Sequence, residues 1–165
     1  MSGGAFATGI GYDCHQFAAG RRLVLGGVEI PHERGLAGHS DADVLVHAII
    51  DALLGAAAMG DIGEHFPDTD ERYRDARSIE LLREVVAQLA ARGLQIGNVD
   101  ATVVIERPRL APAREEIRAT LAAALALPVE RVSVKATRGE GMGFVGREEG
   151  VAALAVATLT GGPAG

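Results

Sequence analysis

The sequence predicts one domain of the α/β or α+β class, a sheet with helices packed on it. Three observations carry that reading: strand-like and helix-like patterns alternate, turn residues separate them, and 165 residues is the size of one ordinary domain. Apolar residues make up 48% of the chain against 23% charged and 4% aromatic, so the core is expected to be built from Ala, Val, Leu and Ile. No internal repeat or low-complexity segment breaks the pattern.

Phe6 to Asp13 reads as the first strand and Arg22 to Ile30 as the second, with a turn or bulge at Gly26 and Gly27. Ser40 is the expected N-cap of the first helix, and Asp43 three residues later completes a capping box. The run from there to Met59 is apolar nearly all round, so this helix should be buried. Gly60 to Asp70, with Gly, Pro and Asp punctuation, reads as a loop too long for a simple turn, and long ordered loops are often functional. Ser78 to Arg92 repeats apolar residues at Ile79, Leu82, Val86 and Leu89 and meets Gly93, which predicts an amphipathic helix with its stop. Val99 to Ile105 is the next strand, Pro112 to Leu127 a third helix and Arg131 to Thr137 an alternating strand. Gly150 to Thr160 is apolar and ambiguous in type; a final strand is favoured.

The formal charge of −6 and the lack of a Lys/Arg cluster argue against a nucleic-acid surface, so any phosphate ligand needs positive charge from another source. The N-terminus has no basic segment followed by an apolar run, and no signal peptide is expected. His47 and Asp51 interrupt the apolar stretch Val44 to Gly60 before a bilayer could be crossed, so no membrane span is expected. A single cysteine, Cys14, cannot form an internal disulfide, which agrees with a reducing compartment and a cytoplasmic protein.

Chemistry enters at "GYDCHQF", Gly11 to Phe17. On a strand Asp13 and His15 leave the same face and can converge on one ion, while Cys14 points away; the plainer reading is a hydrogen-bonded pair at a strand end. His47, two turns into an apolar helix, would be buried and must find a partner. One Asp and two His make the ligand count of a catalytic zinc site with its fourth position open. A core histidine bonded to a backbone carbonyl is the other reading. His39 and Ser40 precede the helix, where free N–H groups and the dipole favour an anion such as phosphate; ordinary capping by Ser40, Asp41 and Asp43 is the alternative.

A third cluster is "KATRGEGMGFVGR", Lys135 to Arg147. Gly141, Gly143 and Gly146 spell the pattern of dinucleotide-binding folds, but a Rossmann unit needs a helix and then an acidic residue on a second strand, which the residues up to Gly165 do not supply. The glycines instead let backbone approach a phosphate, with Lys135, Arg138 and Arg147 near it and Glu140 available for a divalent cation, or they form a flexible surface turn.

With these segments in order, the sequence resembles the 2-C-methyl-D-erythritol 2,4-cyclodiphosphate synthases. The likeness runs through "GYDCH", "GGVEIP", "HSDADVLVHAIIDALLGAAAMGDIG", "FPDTD", "GNVDATVVIERPRL" and "VKAT…E…GFVGREEG". It implies an α+β protomer, a single domain over residues 1–165 with a mixed sheet of about four main strands and three helices packed on it. It also implies a homotrimer with active sites between subunits. The implied reaction cyclises 4-diphosphocytidyl-2-C-methyl-D-erythritol 2-phosphate and releases CMP. By motif match Asp13, His15 and His47 would hold Zn²⁺ with a substrate phosphate oxygen beside Asp13 and His15, and Glu140 would hold a second cation, Mg²⁺ or Mn²⁺. His39 and Ser40 match phosphate contacts. Asp61, Ile62, Gly63 and the run Phe66, Pro67, Asp68, Thr69, Asp70 match the loop that grips the erythritol part. Ile105, Glu106, Arg107, Pro108, Arg109, Leu110 and Ala111 match the cytosine pocket, and Thr137, Arg138, Gly139, Glu140, Phe144 and Arg147 match further substrate contacts. His39 and Arg138 stand as the catalytic candidates.

Departures fall in three places. Arg138 in "TRGE" replaces a Thr that the family uses on the transition state, Arg109 stands where Lys is frequent, and Glu148 stands where Gly is frequent. Glu148 lies between Arg147 and Glu149, which match residues on the trimer axis, where some relatives hold an isoprenoid diphosphate. Two other classes stay open: a zinc phosphodiester hydrolase on the same Asp/His/His site, and a non-catalytic nucleotide- or isoprenoid-binding trimer.

Overall fold

The computed structural model describes residues 6–161; residues 1–5, on which the expectation of no signal peptide partly rests, lie outside it. Its strands are β1 Phe6–Ala19, β2 Leu23–Leu25, β3 Val28–Ile30, β4 Arg34–Leu36, β5 Leu94–Val104, β6 Val132–Thr137 and β7 Gly150–Gly161. Its α-helices are α1 Val44–Ala56, α2 Ile62–His65, α3 Ser78–Ala91, α4 Arg114–Leu125 and α5 Gly143–Gly146. Five strands form one mixed sheet in the order β4-β1-β7-β5-β6, antiparallel except for the β5–β6 pair.

That is one main strand more than the expected four. The extra one, β4, is three residues long and is recruited by Phe17, Ala18 and Ala19 at the far end of β1. The first strand runs on six residues past Asp13, so Asp13 and His15 sit within it and pair with Ala153 and Val151 of β7. The single strand expected over Arg22 to Ile30 is a separate hairpin, β2 with β3, turning at Gly26 and Gly27 with φ of 61° and 77°. Positive φ at both central positions suits a two-residue hairpin turn and favours glycine. The final strand stands as expected.

One sheet face carries the helices. Gly9 and Gly11 of β1 face α1, and a Cβ on either would fall on the carbonyl oxygens of Ala52 and Ala48. The α1 backbone therefore rests directly on the strand. Leu45, Ile49, Ile50, Leu53 and Leu54 of α1 are fully buried with Leu82, Ile117, Val103 and Ala153, the aliphatic core the composition predicts. Among the described residues nothing covers the other face of the sheet: Phe6, Ile10, Tyr12, Leu154 and Val156 are all exposed there, and Ile10 pairs with Val156 and Tyr12 with Leu154.

The helix start differs from the capping-box expectation. Asp43, not Ser40, is the N-cap of α1; its side chain accepts from Val46 N at 3.1 Å. Asp43 prevails because its carboxylate also takes Gly26 N at 2.9 Å and Gly27 N at 2.7 Å, tying the helix to the hairpin turn. The helix ends at Ala56 rather than Met59, and His47 lies one turn inside it rather than two.

Candidate functional site

The alternation of β1 that places two glycines against α1 next turns Asp13 and His15 to the same side, and His47 meets them from the helix. Asp13 Oδ2 lies 2.9 Å from His15 Nε2 and 3.1 Å from His47 Nδ1, and the two nitrogens are 3.2 Å apart. Among the described residues this is the cluster of three metal-ligating side chains. All three are half-buried.

The remaining ring nitrogens decide where the lone pairs point. His15 Nδ1 lies 2.8 Å from the Ala37 carbonyl oxygen, which can only accept, so Nδ1 carries the proton and Nε2 the lone pair. His47 Nε2 lies 2.8 Å from Ser78 Oγ, and the Ser78 hydroxyl donates to Asp41 Oδ1. With its one proton spent on that carboxylate, Ser78 accepts from His47 Nε2–H, and Nδ1 carries the lone pair. Three acceptors therefore face one another with no hydrogen between them. Such a set repels itself unless a cation sits among them, and a tetrahedral zinc with its usual bond lengths wants its ligands about 3.3 Å apart. The donor set fits the metal reading, and the carbonyl-bonded core histidine does not describe His47.

The charge balance agrees. Burial alone would push the Asp13 carboxyl up, but the two imidazoles beside it, His15 and His47, bring it down to about 2. Burial opposes charge on His15, yet Asp13 and the Ala37 carbonyl raise its affinity for a proton. A half-buried site that favours positive charge suits a proton or a metal ion in the same place.

A cleft of about 400 Å³ opens beside the cluster, lined by His15, His39, Ser40, His47, Ile62, Gly63, Phe66, Pro67 and Asp68 together with Gly38, Tyr73 and Leu81. His39 Nε2 donates to the Asp70 carbonyl at 3.1 Å, and Phe66 and Tyr73 pack edge to face at 5.3 Å. The Gly60 to Asp70 segment is not a plain loop: Asp61 caps the short helix α2 through Glu64 N, and Asp51 of α1 accepts from Ile62 N at 2.8 Å. Burial pushes the Asp51 carboxyl up.

A family model described as the YgbB family matches residues 6–160. The chain belongs to the YgbB family. It is 61% identical over 151 residues to a 2-C-methyl-D-erythritol 2,4-cyclodiphosphate synthase of Salinibacter ruber, covering 92% of this chain and 96% of that one. It is 62% identical over 153 residues to a bifunctional enzyme IspD/IspF of Anaeromyxobacter dehalogenans, and spans only 39% of that longer protein. The bifunctional IspDF of Campylobacter jejuni superposes with a TM-score of 0.92 at 41% identity, covering 96% of this chain and 43% of that one. A 2C-methyl-D-erythritol-2,4-cyclodiphosphate synthase in its CDP-bound form superposes with a TM-score of 0.85 at 38% identity, covering 92% and 99%.

Within this YgbB chain the other expected site residues lie apart from the cleft. Ile105, Glu106, Pro108, Arg109, Leu110, Ala111, Thr137 and Arg138 line a second hollow of about 270 Å³ with Arg114 and Ala136. Arg107 lies on the rim next to it, facing Glu148. Thr137 pairs with Val104, Val104 with Ala152 and Ala152 with Cys14, so this hollow is three strands from the Asp13 side of the sheet, roughly 14 Å at ordinary strand spacing. Glu106 Oε2 accepts from Gly139 N at 2.9 Å and holds the two halves of the hollow together. Glu140 is exposed, has a φ of 51° and bonds Arg138 at 3.2 Å. Phe144 is exposed on α5, Arg147 is paired with Glu149, and Thr69 lies on the surface.

Ser40 lies outside α1, against the expectation that its hydroxyl caps the helix. It sits 3.3 Å from His47 Nε2 and 3.4 Å from Ser78 Oγ, and accepts from Ala42 N. The sequence reading missed Ser78 altogether and gave Asp41 only a capping role. The signal available was a buried polar position at the start of the amphipathic helix, which reads equally well as a helix cap.

Proposed function

We propose that this chain is a metal-dependent cyclase that converts 4-diphosphocytidyl-2-C-methyl-D-erythritol 2-phosphate into 2-C-methyl-D-erythritol 2,4-cyclodiphosphate and CMP. The observation that carries the reading is the trio of facing acceptors, Asp13, His15 and His47, at the wall of a cleft in a YgbB chain. The proposed class is a phosphorus–oxygen lyase working in isoprenoid precursor synthesis, with residues 1–165 as one catalytic domain. No helix among the described residues is long and apolar enough to cross a membrane. A cytoplasmic location is part of the proposal.

In the reaction an oxygen of the 2-phosphate bonds to the β-phosphorus. The bond from that phosphorus to the oxygen bridging the α-phosphate breaks, and CMP leaves with the bridging oxygen. No water is consumed. Zn²⁺ at Asp13, His15 and His47 and Mg²⁺ or Mn²⁺ at Glu140 would supply the positive charge that a chain of net charge −6 lacks for a triply phosphorylated ligand. A single exposed carboxylate such as Glu140 suits a hard cation that takes its other oxygens from phosphate and water.

The protein's own part is positioning and exclusion. His39, with Nε2–H held by the Asp70 carbonyl, offers Nδ1 to the substrate, and Ser40 offers its hydroxyl to phosphate. Ile62, Gly63, Phe66, Pro67 and Asp68 close one side of the cleft, and the segments Asp61 to Gly63 and Phe66 to Asp70 would take the polyol. Ile105 to Ala111 takes the cytosine. Arg138 lies where the diphosphate would emerge from that hollow, and its guanidinium can exchange Glu140 for a phosphate oxygen. Phosphorus NMR checks the reaction: a cyclic diphosphate and CMP are expected, and a linear bisphosphate with CMP would replace the cyclase by a hydrolase.

The separation of the two hollows by three strands supports an active site shared between protomers, and the bare apolar sheet face supports a homotrimer. Ile10 is 70% exposed in the protomer, so Ile10→Asp should leave its fold intact while abolishing the trimer. Sedimentation should report a folded monomer with little turnover; a trimeric variant would refute this face as the interface. Arg147 and Glu149 are the proposed lining of the trimer axis and of any isoprenoid diphosphate there, with Glu148 turned instead to Arg34 at 3.8 Å and Arg107 at 3.5 Å.

A further inference from the structure

The three ligand atoms account for only half of the polar groups gathered at this site. Behind His47 stands Ser78, the first residue of α3, fully buried and polar in a segment otherwise read as a simple amphipathic helix. Its Oγ takes His47 Nε2 at 2.8 Å and donates to Asp41 Oδ1, while its backbone N–H donates to the second carboxylate oxygen, Asp41 Oδ2, at 3.1 Å. Asp41 is itself held by α3 on one side and by Asp43 N, which donates to its Oδ1 at 3.2 Å, on the other. Residues 37 apart in the chain thus form one connected unit that ends on a ring nitrogen of His47.

We infer that Ser78 and Asp41 are positioning residues for the metal site: together they fix the tautomer and the ring angle of His47, so that Nδ1 presents a lone pair to the ion. This rests on the zinc reading above. The physical case is that a neutral imidazole has two tautomers and two flip states, and only one of these four arrangements puts an unprotonated nitrogen between Asp13 and His15. A serine alone would not choose, because a hydroxyl can donate as readily as it accepts. The carboxylate makes the choice. By claiming the hydroxyl proton, Asp41 turns Ser78 into an acceptor and obliges His47 Nε2 to keep its hydrogen.

Ser40 differs from Ser78 in this respect. Its oxygen is 3.3 Å from the same nitrogen and already accepts from Ala42 N, and it lines the cleft, so it is free to turn toward a ligand when Ser78 holds the imidazole. The arrangement separates a residue that faces the cleft from one that sets the histidine.

The test is zinc affinity of the purified full chain, measured by competition with a chromophoric chelator, alongside thermal unfolding of the metal-free protein. Wild type should take up one zinc per chain; uptake of none would overturn the metal reading itself. Ser78→Ala should bind zinc roughly 10–100-fold more weakly, with turnover recovering as zinc is raised to saturation. Ser78→Thr, which keeps the hydroxyl, should restore wild-type affinity. Asp41→Asn, which keeps the overall shape and one acceptor oxygen, provides a second variant if Ser78→Ala does not fold, and should also bind more weakly. Wild-type zinc affinity in Ser78→Ala or in Asp41→Asn, with only the unfolding temperature lowered, would reduce the unit to a helix cap and overturn the inference.

Discussion

Replacing His47 with alanine is expected to empty the metal site and lower turnover by about 10³-fold or more. Two ligands remain after the change, Asp13 and His15, and two do not hold zinc against competing water as three do. The loss in rate follows from charge. Lewis-acid stabilisation of a phosphoryl transition state is worth several kcal/mol, and each ~1.4 kcal/mol is a factor of ten. His15→Ala should behave alike, because its Nε2 is another vertex of the same acceptor triangle. Elemental analysis of the purified variants with steady-state kinetics at saturating metal makes the check, and a His47→Ala protein with full metal content would remove His47 from the ligand set.

The second large effect is on stability and belongs to Asp43. Its carboxylate is fully buried and receives three backbone N–H groups, from Gly26, Gly27 and Val46. Asp43→Ala removes a helix cap and strands three donors, and the expected loss is about 3–5 kcal/mol, measured by denaturant unfolding of the metal-free protein. The charge on Asp43 is a separate matter. Burial, with the charge of Asp41, pushes the carboxyl up to about 6 despite the three N–H bonds. The folded state thus prefers the protonated acid more than the unfolded chain does. Its contribution is fully present below the unfolded value near 3.8 and is lost as pH rises through about 6. The stability gap between wild type and Asp43→Asn should accordingly widen by about 1 kcal/mol on going from pH 7 to pH 5. A gap that narrows over this range would mean that the N–H bonds, and not burial, govern the group.

What the sequence made legible follows physical range. Asp13 and His15 could be paired because a strand repeats every two residues, and His47 stood out because an imidazole in an apolar helix must have a partner. The long helices α3 and α4 and the strands β5 and β6 announced themselves by period, whereas β7 was apolar and ambiguous in type. The three-residue strands β2, β3 and β4 did not, since a segment that short carries no period and exists by virtue of its neighbour. The helix start was misassigned because two good capping residues stand three apart, and the choice between them was made by Gly26 and Gly27, 16 or 17 residues upstream. Ser78 and Asp41 reach His47 and each other across 31 and 37 residues, beyond anything local pattern reports. Which hollow belongs with which was also hidden, because the strand order that separates Thr137 from Asp13 is a property of the whole sheet.

The glycines that let α1 lie on β1 have a consequence for how the ion comes and goes. Strand and helix meet backbone to backbone where Gly11, two residues before Asp13, faces Ala48, the residue after His47, so backbone packing sets the distance across the site. Small zinc domains are shaped by their metal and come apart without it. Here the strand and helix are joined by their own packing, and the chain is expected to stay folded while the proposed metal site is emptied and refilled.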